Sequence, residues 1–137
     1  MGADLCVNNS IEDPHRKIEK LTVGTGVDVV IIACSSEEAP VQGIKFLSQR
    51  GRIVFFSGLK EEKRDIFMDH NLIHYKELRV IGAYGCTSRQ NRIALRLLSE
   101  GKIKVGGLIT HRLGLDKIEE GINITASSAG TKVVIRC

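Results

Sequence analysis

The stretch Val27-Asp28-Val29-Val30-Ile31-Ile32-Ala33-Cys34 decides the fold. Its β-branched residues run almost without interruption, the pattern of a short parallel strand covered on both faces. Immediately after it, Ser35 stands three residues before Glu38, which is a capping-box spacing. Val41, Ile44 and Leu47 then recur at helical intervals until Gly51, and Pro40 falls near the first turn, where its missing N–H costs little. Residues 52–57 form a second apolar strand closed by Gly58. Strand, helix and strand together make a β-α-β unit of about 30 residues.

Farther along, residues 60–64 are charged and loop-like, and residues 66–76 have room for one or two helical turns. Residues 78–84 read as a third strand. Thr87, with Gln90 three residues on, caps a helix with Ile93, Ala94, Leu97 and Leu98 on one stripe and Gly101 as its stop. Gly106-Gly107 marks a turn, residues 108–112 a short extended segment, residues 116–119 the opening of a last helix, and residues 132–136 a final strand. Toward the N-terminus, residues 4–8 read as a very short strand, and residues 11–22 as a helix with Ile18 and Leu21 inward. The alternation predicts an α/β fold, a partial Rossmann-type, mainly parallel sheet with flanking helices on both faces.

The chain has 137 residues, enough for one compact domain with a core. No apolar run approaches the ~20 residues that cross a bilayer, so no membrane partner is expected. Met1-Gly2-Ala3-Asp4 has neither a basic nor an apolar leader region, and a cytoplasmic location follows by default. The net charge of +4 is spread along the chain, as in the row Arg89, Arg92 and Arg96 on one helix. Without a concentrated basic patch or interleaved aromatics, nucleic acid is excluded as a partner. Cys6, Cys34, Cys86 and Cys137 are scattered with no metal-ligand spacing and read as reduced thiols, Cys34 as a small apolar strand residue. His70 and His74 sit four apart and lack a third ligand, so no metal site is assigned to them or to His111.

Several segments together resemble the zinc-type medium-chain alcohol and polyol dehydrogenases, especially the sorbitol and threonine dehydrogenase branch. Gly2-Ala3-Asp4 with Val7-Asn8 is similar to that family's "GAD-x-V-I-N". Leu21-Thr22-Val23-Gly24-Thr25-Gly26-Val27-Asp28-Val29-Val30 resembles "LTGGxGADVV", and Gly51-Arg52-Ile53-Val54 resembles "GGRVV". Asn71-Leu72-Ile73-His74-Tyr75-Lys76-Glu77-Leu78 matches "NLIHYKEL", and Leu108-Ile109-Thr110-His111-Arg112 matches "LITHR". Order and spacing agree over essentially the whole chain. The resemblance covers the C-terminal part of such an enzyme, beginning inside the nucleotide-binding domain. It implies a partial cofactor domain over residues 1–106 and, over residues 107–137, a segment that returns to the catalytic domain in a complete enzyme.

In that family a G-x-G-x-x-G turn holds pyrophosphate at a helix N-terminus, upstream of the point where this sequence starts. Gly24-Thr25-Gly26 precedes a strand instead of opening a helix, so it reads as a turn and not as that fingerprint. The zinc ligands lie in an N-terminal domain, so zinc belongs to the complete enzyme only. No catalytic residue is therefore assigned.

In open α/β sheets ligands bind beyond the C-terminal ends of the strands. Three such ends are present, Ala33-Cys34-Ser35, Ser57-Gly58-Leu59 and Ala83-Tyr84-Gly85. By resemblance they line the nicotinamide half of NAD or NADP, with the small residues Ala33, Gly58 and Ala83 leaving room for the ring. Cofactor binding is expected to be weak or absent in this chain, and catalysis absent. The complete enzyme would act on a small alcohol or polyol. The resemblance also implies a homo-oligomer through sheet edges. The alternative is a free-standing, non-catalytic α/β binding or assembly protein of the same descent.

Overall fold

A computed structural model describes residues 2–137. They fall into two compact units, residues 5–85 and residues 86–137 with residues 2–4.

In the first unit, helix α1 (Pro14–Leu21) starts where Asp13 accepts from the backbone N–H groups of His15 and Arg16, with Pro14 at the first helical position. That pair, Asp-Pro, is a local start signal, so the helix opens three residues later than the expected Ile11. Ile18 is half-buried, whereas Leu21 is exposed, contrary to its expected inward placement. The turn after α1 is tied by Thr22, whose hydroxyl donates to Ile18 O and accepts from Gly26 N. Gly24 and Gly26 both adopt positive φ there, as a turn and not a phosphate loop.

Strand β1 (Val27–Ile32) follows, then helix α2 (Glu38–Gly43), strand β2 (Leu47–Phe55), helix α3 (His70–Tyr75) and strand β3 (Arg79–Gly82). The three strands form one parallel sheet in the order β1-β2-β3. Ile32, Ile44, Leu47, Ile53 and Leu78 are its buried core, with Val30, Phe55, Leu72 and Ile73 packed against them. On β1, Val30 and Ile32 point into this core, while Val29 and Ile31 stay 37% and 62% exposed. The run expected to be covered on both faces thus behaves as an alternating strand.

Helix α2 is shorter than its periodicity suggests. It ends at Gly43, a 3-10 turn covers Ile44–Phe46, and Leu47 already belongs to β2. Its start is not the expected Ser35 box, since Ser36 Oγ accepts from Glu38 N instead. Between Leu47, opposite Val27, and Arg52, opposite Val29, the ladder is irregular. There Arg50 N donates to Lys76 O, and Lys76 Nζ donates to Leu47 O, which ties this bulge to the end of α3.

In the second unit, helix α4 (Ser88–Ser99) carries the expected Thr87–Gln90 capping box and stops at Gly101. Strand β4 (His111–Gly114), helix α5 (Ile118–Ala126) and strand β5 (Val133–Arg136) form a β-α-β unit with a two-stranded parallel sheet. Gly121 lets α5 sit close on it: a Cβ there would lie 3.1 Å from Ile135 and 3.2 Å from Val133. Residues 4–8 form no strand. A strand exists only as half of a ladder, and this segment has no ladder partner among the described residues.

Candidate functional site

The C-terminal ends of β1, β2 and β3 lie side by side, because the strands are parallel and adjacent. Ile32 O accepts from both Phe56 N and Ser57 N at 3.0 Å, so the chain leaving β2 is held against the end of β1. Ala83 N donates to Phe55 O at 3.0 Å and fixes the end of β3 to β2 in the same way.

Beyond these ends a cleft of about 240 Å³ is lined by Ser57, Gly58 and Leu59, which the sequence had singled out. Its other walls are Ile32, Pro40, Phe55 and Ile66, with Arg64 as the one charged lining residue. Ala33 and Cys34 open instead onto a separate groove of about 430 Å³ between β1 and α2. Ser35, Ala83, Tyr84 and Gly85 line neither, and the Tyr84 side chain is fully exposed. The Cys34 thiol is exposed rather than packed into the sheet, because β1 ends two residues earlier. All four cysteines are free and exposed.

Leu59, Arg64 and Ile66, from the segment between β2 and α3 that contains the 3-10 turn Glu61–Lys63, line one side of the cleft. Lys63 Nζ lies 2.6 Å from Glu37 Oε1, which anchors this loop to the start of α2. Donating to that carboxylate, and its attraction, hold the Lys63 ammonium above the ordinary lysine range. Arg64 Nη1 donates to Glu61 Oε1 at 2.7 Å. In the sequence, residues 60–64 carry only the signature of a charged loop, which does not mark Arg64 as a cleft residue. Its one signal was a cation placed six residues beyond a strand-end glycine.

The backbone at Gly58 is open. A Cβ built there would meet nothing within 4 Å, so a flat ring can approach the strand end closely. Ala33 and Ala83 are likewise small and exposed. These features fit the nicotinamide half of a dinucleotide. Zinc is different, since a catalytic zinc takes three protein ligands. Among the described residues no three of His, Cys, Asp or Glu converge to hold a metal ion. His70 and His74 stack with ring centroids 6.3 Å apart and gain no third ligand. The chain's own side chains therefore do not fit a catalytic zinc. No helix among the described residues is long and apolar enough to cross a membrane.

Comparison with known proteins agrees with this architecture. The chain is 33% identical over 136 residues to the L-threonine 3-dehydrogenase of Pyrococcus furiosus, a match covering 98% of this chain and 38% of that enzyme. It is 30% identical over 130 residues to the erythritol/L-threitol dehydrogenase of Mycolicibacterium smegmatis, covering 92% and 34%. A zinc-binding dehydrogenase from Sinorhizobium meliloti 1021, solved bound to NADP, superposes with a TM-score of 0.85 at 26% identity, covering 99% of this chain and 40% of that one. The chain thus spans under half the length of the curated relatives it matches. Residues 1–100 match the family described as zinc-binding dehydrogenase, and with the parallel sheet and its strand-end cleft in place, the chain belongs to that family.

Proposed function

We propose that this chain is the nicotinamide-side, C-terminal part of the cofactor domain of a zinc-dependent NAD(P) alcohol or polyol oxidoreductase. In this reading residues 1–106 belong to the cofactor domain, and residues 107–137 return to a catalytic domain that carries the zinc. The observation that carries it is the apolar cleft at the end of β2, where Gly58 leaves its backbone open to a flat ring, with the ends of β1 and β3 on either side of that strand. Threonine and erythritol oxidation by relatives points to a secondary alcohol on a small polar molecule.

When bound, the nicotinamide ring supplies the hydride acceptor or donor of such a reaction. The chain's residues would do the positioning. Backbone groups at Ser57 in the cleft, and at Cys34, Ser35, Tyr84 and Gly85 on the flanking strand ends, would offer hydrogen bonds to the carboxamide, and Leu59 with Ile32 and Phe55 would give one ring face an apolar floor. The sheet edges support a second role, assembly into a homo-oligomer.

By itself the 137-residue chain should show no NAD(P)-linked oxidation of threonine or erythritol. It should bind NAD or NADP with a dissociation constant weaker than about 10 μM, roughly −7 kcal/mol. The decisive experiment is an NMR titration with nicotinamide riboside. Amides at Ala33, Gly58 and Ala83 should shift saturably, and Gly58→Val should abolish the shift while leaving the melting temperature in place, since its Cβ has free space. Shifts confined to other parts of the chain would refute the assignment.

A further inference from the structure

Arg64 is the only charged side chain on a cleft whose other lining atoms come from Ile32, Pro40, Phe55, Ile66 and the Ser57–Leu59 turn. We propose that Arg64 is the anion-recognition residue of this cleft, taking a carboxylate or phosphate group of the bound ligand in exchange for Glu61. The inference rests on the cofactor-cleft reading above and adds to it the charge of what the cleft accepts.

Three observations carry it. The guanidinium has five N–H donors in a planar fork that suits paired anionic oxygens. Only Nη1 is engaged, by one Glu61 oxygen, and the remaining N–H groups have no protein acceptor among the described residues. Glu61 itself is exposed and only three residues away, so its hold is a local surface ion pair of little net strength, which a ligand anion can displace. Finally, the neighbouring Lys63 is matched with Glu37 and does not line the cleft, which leaves Arg64 as the cation placed to meet a ligand there. The Arg64 side chain is itself 69% exposed, so its guanidinium can turn from Glu61 to a ligand anion at the cleft mouth without being stripped of water.

Two sources present this chemistry: a carboxylate on the alcohol substrate, or the phosphate of the nicotinamide nucleotide. They are separated by paired probes on the full chain, glycerate against erythritol and nicotinamide mononucleotide against nicotinamide riboside, with binding read by NMR of the Arg64 Nε–H and the strand-end amides. The anionic member of at least one pair should bind roughly tenfold more tightly. Arg64→Gln should erase that preference, Arg64→Lys should keep part of it, and Glu61→Gln should increase it by removing the internal competitor. A preference in the first pair assigns the substrate carboxylate, and one in the second assigns the nucleotide phosphate. Equal binding in both pairs, a preference that survives Arg64→Gln, or no gain with Glu61→Gln overturns the proposal. Should nicotinamide riboside shift the strand ends while no anion engages Arg64, only this inference falls. Should an anion engage Arg64 while no nicotinamide compound reaches the strand ends, only the cofactor reading falls, and if nothing binds, both do.

Discussion

Val23 sits at φ +53° with its side chain 91% exposed. It is the residue just past the cap of α1, and its backbone is forced there because Gly24 N closes back onto Glu19 O at 2.8 Å. The same closure ends α3, α4 and α5, through Leu78 N to Ile73 O, Lys102 N to Leu97 O and Ala129 N to Ile124 O. The left-handed position is filled by Glu77, Gly101 and Ser128 in those helices. Glycine suits it best, and a β-branched residue suits it worst. Val23→Gly should therefore stabilise the chain by about 1 kcal/mol, the relieved strain exceeding the extra freedom gained by the unfolded state. Urea unfolding measures this, and an unchanged or lower midpoint would count against it. Gly26 is the converse case, at φ +84° with a would-be Cβ 2.6 Å from Phe46 O. Gly26→Ala combines backbone strain with a clash against main chain that cannot swing away, and should cost about 2–4 kcal/mol. A loss under half of that would mean that the turn before β1 has other ways to close.

The loop beside the cleft is held by one ion pair, Lys63 to Glu37, that joins segments 26 residues apart in sequence. Both side chains are largely solvated, so Glu37→Gln should leave the denaturation midpoint unmoved and yet speed amide hydrogen exchange in residues 60–66. Unaltered exchange there would show that packing of Ile66 alone holds the loop. The pH dependence has a definite sign. Because Lys63 is raised in the folded chain, its contribution is complete below the ordinary lysine value of ~10.4 and fades as pH climbs through the raised value. The strap is intact at neutral pH. This loop also shows where sequence reading stopped. Caps and periodicities are local, so the Thr87–Gln90 box, Gly101 and the three central strands were legible. Of the strand-end residues expected from the rule that places ligands beyond parallel strands, Ser57, Gly58 and Leu59 line the cleft, whereas Ala33 and Cys34 face another groove. Helix α2 was overextended because Leu47 is buried in either path, helical or extended, and periodicity cannot distinguish them. Arg64 reaches the cleft through a long-range anchor and the turn of the loop, neither of which has a sequence signature.

At the scale of the whole chain, the three-stranded sheet has two edges, β1 and β3. Edges are normally guarded by Lys, Pro or a bulge that turns them away. Within β1 there is neither Lys nor Pro, and its single charge, Asp28, accepts a hydrogen bond from Ser48 Oγ at 3.1 Å. Its irregular pairing lies at Val27–Val29, leaving Val30 to Ile32 in regular register with β2 and their outer backbone groups unpaired by any other strand in the sheet. Exposed Ile31 adds an apolar side chain to that row. Strand β3 exposes Val80 and Ile81 as well, beside the exposed charge of Arg79. An unguarded edge with apolar side chains recruits a matching strand, and in a pure solution the matching strand is a second copy of this chain. The 137-residue chain should accordingly scatter light as a homodimer or larger assembly at micromolar concentration. Ile31→Lys places a guard on the β1 edge at a side chain that is already exposed, so it should shift the population toward monomer without lowering the cooperativity of the melt, whereas Val80→Lys would do so only if β3 is the contact. A monodisperse monomer with a cooperative melt for the unsubstituted chain would overturn the assembly reading, because the edge would then have found its cover within one copy.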